Sequence, residues 1–574
     1  MPPLDLAALR AQTIGVDTPV VTPFGERLLV YADFTASGRC LAFVEDYLRE
    51  VAALYANSHT EDSLTGRATT HLLHEAESAI KEALNAGEGG KVIACGTGST
   101  AAIHKLQEIL GVAIPPATRH FLRATLGDDA FAAVRAAQPV VFVGPYEHHS
   151  NEVTWREGLC EVVEVDLTPE GALDLAHLDR LLQDPAYEGR RKIGSFSAAS
   201  NVTGLKSPVH EIARLLHRHG ALALFDYAAA APYVPIDMNP AGDPEAALDA
   251  VFLSPHKFLG GPGAAGVLVF HERLYDPTLP PSVGGGGTVD YVSPRGHDFT
   301  ADIEAREKAG TPGVFQILRA ALALELKRAL GLDALQAREH ALLARAFARW
   351  CGDERIEILG PADPTQRIGI VSFNLRDGHG GRLHPKLVAV LLNDLFGIQS
   401  RAGCSCAGPY GHRLLGIGGE LSDRYRNAIR EGAHGVKPGW CRVGFHYAMD
   451  DAEADYIVEA VSFLAAHGSR FLPLYRFRLA SGKWTHRDGP PALPAFSLAA
   501  ARAAAPSAPA PLPEAERRRR YAEALDEARR LADALPEPAC DARLDGALGD
   551  LQFFALAGDT LDETHADDAL CGSP

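Results

Sequence analysis

Between residues 91 and 270, short apolar runs alternate with helix-period segments. The runs are 91–95, 140–144, 161–165, 192–197, 221–226, 251–253 and 265–270, each the length of one buried strand. Helical patterns near 101–110, 173–182 and 209–219 separate several of them. Strand–helix–strand units in series predict a mostly parallel sheet with helices on both faces. Ligands in such sheets sit at the carboxyl ends of the strands. Thr97, His148, Asn201 and Asp226 each fall at or just after a predicted strand end. One shared site is therefore expected along that edge.

The stretch 221–270 carries the most chemistry. Its first apolar run ends in Asp226, and its second leads into Ser254-Pro255-His256-Lys257 and a glycine-rich turn. A lysine lined by apolar residues loses its proton more easily, because desolvation disfavours the charged form. Upstream, Gly96-Thr97-Gly98-Ser99-Thr100 lies between a strand and a helix. Free N–H groups at a helix start favour an anion, although an ordinary capped turn has the same appearance. An amine for an aldehyde, an acid for a ring nitrogen and donors for a phosphate are what pyridoxal 5'-phosphate needs. Further on, Ser207 is expected to cap a helix beginning at Pro208, with Val209, Ile212, Leu215 and Leu216 on one apolar face and Gly220 as its stop.

A chain of 574 residues exceeds a single core, since domains mostly run to ~250 residues or fewer. The expected division is a large cofactor-binding domain over 1–312, to which the N-terminal segment need not belong, and a smaller α+β domain over 313–479. A Pro/Ala-rich linker over 480–513 and a C-terminal helix with an acidic tail over 514–574 come after it. The net charge of −18, with basic residues spread out, argues against nucleic acid or an anionic membrane as partner. The run Arg517 to Arg520 is flanked by Glu514, Glu516 and Glu523 and reads as a solvated helix face. No secretory signal pattern is visible and no apolar run approaches the ~20 residues that span a bilayer, so cytoplasm is the default compartment. No metal site is expected. Seven of the nine cysteines are scattered; only Cys404 and Cys406 are close together, in a Gly/Ser/Ala-rich loop.

Several motifs in order resemble those of the class V aminotransferases, in their cysteine desulfurase/selenocysteine lyase branch. They are Tyr31-Ala32-Asp33, Asn57-Ser58-His59, Glu147-His148-His149-Ser150-Asn151, Ser200-Asn201-Val202-Thr203-Gly204, Asp226, Ser254-Pro255-His256-Lys257, Ala309-Gly310-Thr311-Pro312, Arg401-Ala402-Gly403 with Cys406-Ala407, and Cys441-Arg442. The resemblance covers roughly 28–465. It implies the fold type I of pyridoxal-phosphate enzymes, with a seven-stranded-type, mostly parallel large domain. By that resemblance Lys257 is the Schiff-base lysine, Asp226 the partner of the ring nitrogen and His148 the stacking ring. Asn201 contacts the ring oxygen or the substrate. Thr97, Gly98, Ser254 and His256 hold the phosphate. Thr311 reaches the phosphate of a second subunit, which implies a homodimer. Arg442 clamps the carboxylate of a small amino-acid substrate, and Cys406 accepts its sulfur for a sulfur-acceptor protein.

Two departures stand out. Asp226-Tyr227-Ala228-Ala229 replaces the family's Asp-Gly-Ala-Gln, so Ala229 supplies no amide to the cofactor. Cys404-Ser405-Cys406 is a paired-thiol variant similar to the cysteine-rich loop of molybdenum cofactor sulfurases. Either thiol of the pair could carry sulfur, and the two could pass a persulfide between them or oxidise to each other. A transaminase, epimerase or other lyase that ignores the loop thiols is the alternative, and a non-catalytic interaction protein on the same fold is the second.

Overall fold

The computed structural model describes residues 6–58, 60–376 and 381–489. His59 and the segments expected as linker and C-terminal helix beyond 489 lie outside the described residues. By its internal contacts the chain divides into residues 1–492 and 493–574, and every described element belongs to the first of these units.

Seven strands form the central sheet: β1 (Gly90–Cys95), β2 (Val140–Val143), β3 (Glu161–Glu164), β4 (Lys192–Ser197), β5 (Leu222–Asp226), β6 (Ala250–Leu253) and β7 (Gly266–His271). Their order across the sheet is β1-β7-β6-β5-β4-β2-β3. Only β7 runs against its neighbours, β1 and β6; the other pairings are parallel. The sheet is therefore mostly parallel, as the alternation of runs predicts.

The inner strands of the sheet are buried on both faces, which is why they read as continuous apolar runs. Successive side chains point to opposite faces. Phe225, Val251, Leu253, Val267 and Val269 join the larger core cluster. Their neighbours Leu224, Ala250, Phe252, Leu268 and Phe270 join a second cluster with Ala102, Ile103 and Leu106 of the helix Ser99–Ile109. The same alternation puts Asp226 on the Leu224 side, facing the helix Ser99–Ile109. Fold and site are linked there: the register that buries Leu224 aims the acid.

The helix expected to start at Pro208 begins at Val209, with no side-chain cap. The Ser207 hydroxyl donates instead to Ser197 O at 2.6 Å and meets the Tyr146 hydroxyl at 2.8 Å, so it ties a loop to β4. The segment near 112–137 is a helix, Pro116–Ala137, broken by non-helical geometry at Gly127 and with no buried side chain.

The second sheet has four strands: β8 (Ile356–Ile358), β9 (Ile370–Leu375), β10 (Arg401–Gly403) and β11 (Trp440–Gly444). All its pairings are antiparallel, in the order β8-β9-β11-β10. The helices Leu332–Trp350, Pro385–Phe396 and Asp451–His467 accompany it. The last carries a reciprocal cap between Asp450 and Glu453. The N-terminal strand Val30–Tyr31 pairs in parallel with Ile398–Gln399. A hairpin, Tyr475–Arg478 with Lys483–His486, extends past residue 479, into the stretch that composition assigns to the linker.

Candidate active site

A cleft of about 560 Å³ opens at the carboxyl ends of β1, β2, β4, β5 and β6. Its lining includes Thr97, Gly98, His148, Asn201, Asp226, Ser254, His256 and Lys257. Residues far apart in sequence meet because parallel strands deliver their ends to one edge.

Lys257 ends a 3-10 turn, Pro255–Lys257, directly after β6. Gly38 closes on that turn: its N–H donates to His256 O at 2.8 Å. A Cβ at Gly38 would lie 1.8 Å from Phe258 O, so no other residue fits. The Lys257 ammonium has no hydrogen bond or ion pair among the described residues. Burial lowers its pKa to about 8, against the opposing pull of Asp226. Asp226 is 3% exposed, and its Oδ1 accepts from Ala228 N at 2.9 Å. Burial raises its pKa, while the Ala228 N–H, Lys257 and Ser99 oppose that rise.

His148 follows β2. Its Nδ1 accepts from Ser150 N at 3.1 Å and lies 3.0 Å from Ser150 Oγ. Ser150 Oγ in turn meets Thr100 Oγ1 at 2.7 Å. Burial first, then Lys257 and other cations, lower the His148 pKa to about 4. The ring is therefore neutral at ordinary pH, with its proton on Nε2.

At the other end of the cleft, Ser254 Oγ accepts from Ser99 N at 2.9 Å and His256 Nδ1 meets Thr97 O at 2.8 Å. A Cβ at Gly98 would lie 3.0 Å from His256 Cε1 and 3.2 Å from Ser254 Oγ, so glycine keeps this corner open. Hydroxyls and the start of the helix Ser99–Ile109 converge there as donors beside the His256 ring, a corner suited to phosphate. An unengaged amine, a buried acid on the facing strand and this open corner fit pyridoxal phosphate in size and chemistry. Ala229 lines the same cleft and presents only a methyl group.

The loop bearing Cys406 is pinned beside the cleft. Asn201 Nδ2 donates to Ser405 O at 2.6 Å, while the buried Asn201 Oδ1 has no partner among the described residues. His149 pins the loop backbone at two points: its N–H donates to Cys406 O at 2.8 Å, and its Nε2 accepts from Gly408 N at 3.0 Å. Ala407 N donates to Cys404 O at 3.1 Å across a turn whose central residues, Ser405 and Cys406, have φ of 51° and 56°. Left-handed backbone at two successive non-glycine residues is strained, and such strain gathers at functional sites.

Arg442 lies on β11, 4% exposed, with Nη1 donating to Asn201 O at 2.9 Å and Nη2 to Asp33 Oδ1 at 3.1 Å. Asp33 Oδ2 accepts from Arg401 Nε at 2.9 Å. One carboxylate thus joins the buried guanidinium to the cysteine loop. Thr311 stands apart from the cleft, exposed beside Asn57, whose Nδ2 donates to it at 3.1 Å.

Three residues of the site carry no role that sequence alone assigns. Glu147 is buried under the cleft and accepts from Gly144 N, Ser197 N, Ser197 Oγ and Asn151 Nδ2. Burial raises its pKa to about 7, while those donors pull it down. The others are His149 and Asp33. Each sits inside a quoted motif, but its partners lie hundreds of positions away.

A family model described as Aminotransferase class-V matches residues 130–457. A probable cysteine desulfurase of Streptomyces coelicolor is 30% identical over 389 residues, covering 66% of this chain and 84% of that protein. A cysteine desulfurase of Dickeya dadantii is 32% identical over 394 residues, with coverage of 66% and 84%. Among solved structures, an Escherichia coli cysteine desulfurase aligns with a TM-score of 0.60 at 22% identity, covering 80% of this chain and 98% of that one. One from Thermococcus onnurineus gives 0.59 at 22%, covering 76% and 95%. At that identity the structural likeness is one of fold. With the sheet order, the strand-end cleft and the family match agreeing, the chain belongs to the class-V aminotransferase family.

Proposed function

We propose that the protein is a pyridoxal-phosphate-dependent cysteine desulfurase. The observation that carries this reading is the pinning of Cys406. Its loop is tied to Asn201 and His149, on the same two loops that bring Asn201 and His148 to the cleft. A transaminase has no use for a thiol held there.

When bound, pyridoxal phosphate supplies a sink for the electron pair released from the substrate's Cα–H bond. Lys257 would hold the cofactor's aldehyde, and a pKa near 8 makes its neutral amine accessible to take a proton from the substrate's Cα. Asp226 would take the ring nitrogen, where a positive charge would offset the cost of its own burial. His148, in its neutral form, would supply the surface for the ring. Thr97, Gly98, Ser254 and His256 take the phosphate. Each terminal nitrogen of Arg442 keeps a second hydrogen after serving Asn201 and Asp33, and those two hydrogens hold the substrate carboxylate. The Cys406 thiolate attacks the substrate sulfur, the Cβ–S bond breaks, and the products are alanine and a Cys406 persulfide.

Thr311, outside the cleft of its own chain, serves a partner's phosphate in a homodimer; sedimentation of the cofactor-loaded protein tests that. The compartment proposed is the cytoplasm, consistent with there being no helix among the described residues long and apolar enough to cross a membrane. The deciding experiment is a single turnover with cysteine, assaying alanine and locating the persulfide by peptide mass spectrometry. Alanine with persulfide on Cys406 supports the reading. A pyridoxamine-type absorbance with a keto acid as product, insensitive to Cys406→Ser, supports a transaminase instead.

A further inference from the structure

A second cavity lies behind the cysteine loop. It is about 420 Å³ and shares a wall with the site through His149, Cys404 and Gly408. Cys406 is not part of its lining, whereas Cys404 is. Leu415, Ile417, Tyr425, Ile429 and Trp440 give it an apolar body. The helix Gly419–Arg430, which forms one side, buries none of its residues.

The rim has the opposite character to the chain as a whole. Arg426, Arg430 and Lys437 line it, and none has a carboxylate partner among the described residues, in a chain of net charge −18. Arg413 nearby shows the contrast: it is neutralised by Glu164 and Asp166. Unpaired cations around an apolar body suit an anion with an apolar part. The volume is that of a small-molecule site, within the ~300–1,000 Å³ such sites occupy.

We propose that this cavity is an acceptor site for a small anionic thiol, and that Cys404 is the relay that delivers sulfur to it. The inference rests on the desulfurase reading and adds the second half of the reaction. The turn that joins Cys404 O to Ala407 N holds both thiols on one tight bend, with Cys404 on the cavity side. The Cys404 thiolate attacks the outer sulfur of the Cys406 persulfide. The bond from that sulfur to Cys406 breaks, a bond to Cys404 forms, and Cys406 leaves as thiolate. The acceptor thiolate then attacks the same sulfur, Cys404 leaves as thiolate, and the acceptor departs as its persulfide. No electrons enter or leave in either exchange.

The test uses the cofactor-loaded full chain with cysteine and two acceptors, 4-mercaptophenylacetate and its uncharged methyl ester. Wild type is expected to turn over with the anionic thiol at least about tenfold more efficiently than with the ester. Arg426→Glu with Arg430→Glu removes that preference by raising KM for the anion alone; Lys437→Ala is the milder second variant. In Cys404→Ser the first alanine and the Cys406 persulfide still form, and turnover with the anionic thiol falls about tenfold or more. Equal use of the two thiols by wild type, or wild-type turnover by Cys404→Ser, overturns the inference and leaves the desulfurase reading standing. Absence of any alanine in the first turnover of wild type overturns that reading, and this inference with it.

Discussion

Asp33→Ala isolates a contact between residues 409 positions apart. The side chain of Asp33 is 12% exposed and that of Arg442 5%, and they meet at 3.1 Å. Removing the acid leaves a nearly dry guanidinium with Asn201 O as its remaining hydrogen-bond partner among the described residues. Deleting one member of a buried pair costs about 3–5 kcal/mol, because the survivor keeps its desolvation penalty without its counter-charge. The same carboxylate also holds Arg401, whose side chain is 53% exposed; solvent screens that pair, which contributes at most about 1 kcal/mol. Urea unfolding of the cofactor-free protein should therefore order the variants sharply. Asp33→Ala is destabilised by about 3–5 kcal/mol. Asp33→Asn keeps a hydrogen-bond acceptor and loses less, and Arg401→Ala loses under about 1 kcal/mol. Asp33→Ala lying within about 0.5 kcal/mol of wild type, or Arg401→Ala costing as much as Asp33→Ala, would refute a buried Asp33–Arg442 pair as the source of this stability.

Glu147→Gln places an amide donor among four existing donors, so at least one contact turns repulsive; a loss of about 2–4 kcal/mol in urea unfolding is expected. His149→Ala removes the acceptor for Gly408 N while leaving the backbone donor to Cys406, so the first alanine should form more slowly and Cys406 alkylate at a changed rate, with pyridoxal-phosphate binding kept. For Lys257, with a folded pKa of about 8, cofactor uptake by the cofactor-free protein should fall about tenfold per pH unit below 8 and level off above it. The same depression has a stability consequence. Between about 8 and the ordinary lysine value of 10.5 the unfolded chain binds the extra proton, so this group's contribution makes the fold more stable as pH rises through that window. A Lys257→Met variant should lose both effects.

The edge where the site forms was legible because parallel strands buried on both faces read as apolar runs. Thr97, His148, Asn201, Asp226 and Lys257 could be placed at their ends from pattern alone. The aim of Asp226 also follows from period-2 alternation with Leu224. Partnerships across the chain were not legible. Asp33 and Arg442 are 409 positions apart, and no local pattern links them. Ser207 shows a different limit: its side chain suits a helix cap, but a carbonyl on β4 claims its hydroxyl, so tertiary contact overrides a local preference. The smaller sheet is harder to read because β8 and β10 have three residues each, while β9 and β11 are buried along their whole length and show no polar face. Its cysteine loop gave residue types without the turn geometry that separates Cys404 from Cys406.

The most direct test of the central claim is one turnover of the cofactor-loaded protein with cysteine, reading alanine and the sulfur on Cys406 together. About one alanine per site is expected, with persulfide on Cys406, and loss of both in Cys406→Ser. Alanine released at the wild-type rate by Cys406→Ser would contradict it.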